Sequence, residues 1–99
     1  PDLIAFNAKI DFSFWGECGQ NSIRKTHWIL KHTRTDEMVL FKIGINAEQL
    51  IKQIREEIPQ KYRADGRLKL INFCNNIVKL TETKQIEKVE KDWFDEFEI

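Results

Sequence analysis

Several features that would announce a function are missing from this 99-residue chain. It has two cysteines, Cys18 and Cys74, far apart and outside any Cys-x-x-Cys pair, which excludes a disulfide framework and leaves two free thiols. With four glycines and two prolines it is not a linker or a collagen-like chain, and it contains no phosphate loop, Walker motif or Ser-His-Asp signature. No apolar run reaches the length of a bilayer span, and the first residues, PDLIAFNAKID, lack the basic start and apolar block of a signal peptide. A cytoplasmic protein with no membrane partner is therefore expected. Neither sign of charge is in excess, with 16 Lys and Arg against 16 Asp and Glu, which weakens the case for a dedicated polyanion binder.

What is present suits one folded domain over residues 1–99, because 41% of residues are hydrophobic and 32% charged. The charge is unevenly spread. Residues 1–80 hold 13 Lys and Arg against 9 Asp and Glu, whereas residues 81–99 hold 3 against 7. From Ile4 to Phe14 the even positions are apolar and most odd ones polar, the period of a half-buried strand. Gly16, Gly19, Asn21 and Ser22 predict a chain reversal over 15–22. Residues 23–32 are rich in β-branched and aromatic side chains and predict a second strand, with Thr26, Trp28 and Leu30 inward and Lys25, His27 and Lys31 outward; Ile29 breaks that alternation. Residues 38–45 predict a third, with Val39, Phe41, Ile43 and Ile45 on one face.

A helix over 47–58 carries the most complete local signal. Asn46 is a good N-cap, Gln49 completes a capping box, and Ile45 with Leu50 has the spacing of a hydrophobic staple. Ala47, Leu50, Ile51, Ile54 and Ile58 make its apolar stripe. Leu70, Phe73, Cys74, Ile77 and Val78 predict a helix over 68–80, although Leu68, Leu70, Asn75 and Asn76 also suit a strand; Ile86, Val89, Trp93 and Phe97 predict another over 83–97. The expected fold is thus α+β: a three-stranded antiparallel β-meander over about 4–45, followed by two or three α-helices packed on one face.

Cys18 with His27 or His32 could form a nucleophile pair, oriented by Glu17 or Asn21, but no known spacing supports it. Zinc needs about four ligands, and Cys18, His27, His32, Asp36 and Glu37 lack its spacings, so neither metal nor cofactor is expected. Two binding surfaces remain. One is basic, Arg24, Lys25, His27, Lys31 and Arg34, reinforced by Lys61, Arg63, Arg67 and Lys69, with Trp15 as a stacking surface. The other is the acidic aromatic tail, where Phe94, Phe97, Ile99, Asp95 and Glu96 suit docking on a second protein.

Three resemblances follow. Pro1 ahead of a strand resembles the tautomerase superfamily, whose amino-terminal proline is a catalytic base; the likeness stops at that residue, and a meander differs from that family's strand–helix–strand unit. A meander followed by a capped helix resembles, in order of elements, the DNA-reading domains of plant ethylene-response factors and some integrase amino-terminal domains, which implies a sheet laid in the major groove. The tail resembles the acidic tips of single-stranded-DNA-binding proteins. The expected function is a small non-enzymatic protein-binding module of inhibitor, immunity or adaptor type, of the kind carried by phages and mobile elements. Nucleic-acid binding through the basic face of the sheet is the alternative, and a Cys-His enzyme the third.

Overall fold

A computed structural model describes residues 1–74 and 89–99. Strands β1 (Leu3–Phe6) and β2 (Phe12–Cys18) lead into helix α1 (Ile23–His32), then strand β3 (Glu37–Ile43), helix α2 (Ala47–Glu57), the short helix α3 (Gln60–Arg63) and strand β4 (Leu68–Phe73). A 3-10 turn at Lys91–Trp93 precedes the final strand β5 (Phe94–Glu98). The five strands form one sheet in the order β1-β2-β3-β4-β5. The outer pairs β1–β2 and β4–β5 are antiparallel, whereas β2–β3 and β3–β4 are parallel.

This overturns the expected meander. The chain is α+β, but its sheet is mixed, and two strand–helix–strand units stand where hairpins were expected. The reason lies in residues 23–32, which are a helix and not a strand. A helix carries the chain back to the starting edge of the sheet, so the next strand runs parallel to the last. Ser22 caps α1, its Oγ accepting from Lys25 N at 3.0 Å. Thr26, Ile29 and Leu30 are its buried residues, which explains why Ile29 breaks a strand alternation. Lys31 and His32 lie in the last turn, where positive charge suits the helix dipole.

The run from Ile4 to Phe14 also divides in two. Asn7 Oδ1 accepts from Lys9 N at 2.8 Å and Asp11 N at 3.1 Å, closing a turn that folds β1 back onto β2. Residues 68–73 are a strand, not a helix, and Phe94–Glu98 is an edge strand and not the end of a helix. The parts of those two expected helices that fall on 75–88 lie outside the described residues. Helix α2 is as expected, with Asn46 Oδ1 accepting from Gln49 N at 3.2 Å.

Both major helices cover one face of the sheet. Met38, Leu40, Leu68 and Leu70 meet Ile29 and Leu30 of α1 and Ile51, Ile54 and Ile58 beyond them, and all are buried. On the opposite face Gly16 allows close packing: a Cβ there would lie 3.0 Å from the Phe14 ring, 3.1 Å from the Phe41 ring and 3.3 Å from Leu3 Cβ. Gly16→Ala should therefore cost about 1–2 kcal/mol in urea unfolding, the usual penalty for overpacking. An unchanged midpoint would show that both rings move aside freely.

Candidate nucleic-acid interface

At 100° per residue, the exposed side of α1 gathers Arg24, Lys31, Trp28, His32 and Lys25 into one stripe, opposite the buried Thr26, Ile29 and Leu30. No acidic residue occurs from Gly19 to Thr35. Trp28 is 59% exposed in the middle of the stripe, its ring 4.9 Å from that of His32. Arg34 follows just past the helix end and is exposed. Among the described residues Arg24, Lys31 and Arg34 form no ion pair with a carboxylate. Lys25 does, its Nζ lying 3.6 Å from Glu17 Oε1.

Glu17 is the one buried carboxylate among the described residues, 4% exposed near the carboxyl end of β2. Trp15 Nε1 donates to its Oε1 at 2.9 Å, and the Pro1 nitrogen lies 3.7 Å from the same oxygen. The carboxylate therefore pins the Trp15 indole and lies beside the Lys25 ammonium of α1. Trp15 is half-buried against the core, not the open stacking surface expected of it. Trp28, expected in the core, is the open one. The signal that finds it is the helical reading of 23–32: a Ser cap, then Thr26, Ile29 and Leu30 three and four residues apart.

The remaining basic residues separate by role. His27 is half-buried with its ring 5.2 Å from Tyr62, so it leaves the stripe. Arg67 closes the end of α1, donating to Leu30 O at 2.7 Å, Thr33 O at 2.9 Å and Thr35 O at 2.7 Å. Arg63 donates to Ile58 O and Ile99 O at 2.8 and 2.6 Å. Lys69 pairs with Glu37 at 3.7 Å. Lys61 remains exposed on α3, a helix that packs against α1.

The tail residues take places in the sheet. Ile99 is buried, Phe97 packs against the core, and Phe94 sits half-buried with its ring 5.6 Å from Phe73. Asp95 and Glu96 are exposed. Cys18 stands at the end of β2, and its backbone N–H donates to Asp2 Oδ2 at 2.7 Å. Desolvation, then the carboxylates of Asp2 and Glu17, push its thiol above the ordinary value, with Lys42 opposing. Cys18 should accordingly alkylate with iodoacetamide at neutral pH no faster than cysteine in an unstructured peptide. Rapid selective labelling would contradict that and revive the nucleophile. Among the described residues no group of three His, Cys, Asp or Glu is placed to hold a metal ion, and no helix is long and apolar enough to cross a membrane.

The fold so defined is a mixed sheet with two parallel crossovers covered on one face by helices. Among solved structures it is similar to the YaeQ protein from Xanthomonas axonopodis pv. citri, with a TM-score of 0.59 and 21% identity. The match covers 86% of this chain and 46% of that one, so the chain spans about half the length of its structural neighbour. At this identity the likeness concerns the fold alone. No family model and no curated protein sequence matches the chain.

Proposed function

We propose that this chain is a non-enzymatic module that binds single-stranded nucleic acid along the exposed face of α1. The observation that carries the reading is Trp28, a large aromatic 59% exposed on a helix face otherwise made of Arg24, Lys25, Lys31 and His32. Exposing an indole forgoes burial that folding would otherwise use, and a flanking set of cations gives it a partner: a base stacks on the ring while phosphates meet Arg24, Lys31 and Arg34. A single strand fits better than a duplex, because only unpaired bases offer a free face to a lone aromatic. Net neutrality does not oppose this, since the stripe itself is wholly basic and aromatic and no acidic residue occurs from Gly19 to Thr35.

Recognition of another protein through the tail has less support, because Phe97 and Ile99 are committed to the core and leave Asp95 and Glu96 as the exposed groups. The test is anisotropy of a labelled oligothymidine at low salt. Saturable binding is expected, and Trp28→Ala should weaken it about tenfold, as the loss of one stacked base implies. Binding unaffected by Trp28→Ala would refute the stacking role, and no binding would refute the reading.

A further inference from the structure

At the carboxyl ends of β2 and β3 opens a crevice of about 570 Å³, with Lys42, Gln20, Gln49 and Gln53 among its polar lining and Ile45 and Leu50 as apolar wall. No acidic residue is among the described residues that line it. In sheets with parallel strands this edge is the usual ligand site, because each crossover leaves a helix start beside it. Lys42 is half-buried, donates to the Gly19 carbonyl, and among the described residues has no carboxylate partner. An ammonium drawn partly out of water beside one neutral carbonyl lacks most of the compensation that an ion pair gives. Burial accordingly holds this ammonium below the usual lysine range.

The walls are already fixed. Asn72 Nδ2 donates to Ile45 O at 3.0 Å while its Oδ1 accepts from Ile45 N at 3.2 Å, and Gly44 N donates to Phe73 O at 2.7 Å. The capped start of α2 holds Gln49 and Gln53 one helical turn apart, on the same side. An open crevice with one cation that no carboxylate pairs among the described residues, and several neutral amide donors, fits an anion with more acceptor oxygens than a carboxylate has.

We propose that the crevice binds a small organic phosphate, with Lys42 as counter-ion, the glutamine amides donating to the phosphate oxygens, and Ile45 and Leu50 against the organic body. This site is separate from the α1 stripe and does not depend on it. Its test is an amide NMR titration with phenyl phosphate, with benzoate as the carboxylate control. Phenyl phosphate should give saturable shifts at Gly19 and the side-chain amides of Gln20, Gln49 and Gln53, at least roughly tenfold tighter than benzoate. Lys42→Met should abolish them, while Arg24→Glu with Lys31→Glu should leave them intact. Should Lys42→Met lose its fold, as the same spectra would reveal, Gln49→Ala with Gln53→Ala serves in its place and should weaken binding severalfold. Absence of saturable shifts, equal binding of benzoate, binding unaltered by the crevice variants, or loss only in the α1 variant would each overturn the proposal.

Discussion

Replacing Arg67 by Ala should destabilise the domain by about 3 kcal/mol or more, since a charged donor to several carbonyls is lost and those acceptors stay half-buried. Its guanidinium reaches three carbonyls at the end of α1, Leu30, Thr33 and Thr35, and approaches Tyr62 O at 3.4 Å. The last carbonyls of a helix have no partner within it, so Arg67 serves as a cap delivered from the residue before β4. Lys cannot reproduce the planar fork, so Arg67→Lys should recover only part of the loss. Urea unfolding measures both. A loss below about 1 kcal/mol for Arg67→Ala would mean that water replaces the guanidinium without cost and that α1 is held by burial alone.

The second large effect concerns binding. Reversing Arg24 and Lys31 together to Glu should weaken oligothymidine binding by about 100-fold at low salt, because two phosphate contacts become two repulsions. Both side chains are exposed and neither forms an ion pair among the described residues, so the folded state should be little affected. Lys25→Glu is the contrasting variant. Its Nζ neighbours the buried Glu17, so reversal there sets two carboxylates together and should lower stability as well as affinity. If the double reversal leaves affinity unchanged, nucleic acid does not lie on α1.

Helix α2 was legible because its signals sit within one turn of each other: the Asn46 cap, Gln49, and the Ile45–Leu50 pair. Helix α1 was not, although its Ser22 cap is equally local. Ile23, Thr26, Trp28 and Ile29 favour a strand by intrinsic preference, and the sheet beneath together with the distant Arg67 decides otherwise. That one misreading had a wide consequence, since an element lying between β2 and β3 sets the direction of β3 relative to β2. Strand β4 hid in an ambiguous run: Leu68 and Leu70 alternate with Lys69, while Phe73 and Cys74 continue a helical spacing. In the tail, Trp93 and Phe97 are spaced as on a helix, yet Phe97 and Ile99 alternate as on a strand and it is these that meet the core.

The candidate site was legible in composition and not in geometry. Arg24, Lys25, Lys31 and Arg34 are a basic cluster in the sequence, but on a strand only Lys25 and Lys31 would share the outward face with His27, and Arg24 would turn inward with Trp28. As a helix the same residues expose Trp28 and withdraw His27. Arg67 and Lys69, grouped with the cluster by sequence, serve the end of α1 and the opposite face of the sheet instead.

The measurement that tests the central claim most directly is the salt dependence of oligothymidine binding to the intact protein. Three cations with no ion pair among the described residues, Arg24, Lys31 and Arg34, predict a slope of log affinity against log salt of about −2 for a single strand, falling toward about −0.7 in Arg24→Glu with Lys31→Glu. A slope near zero, or one that the double variant leaves unchanged, would contradict binding along α1.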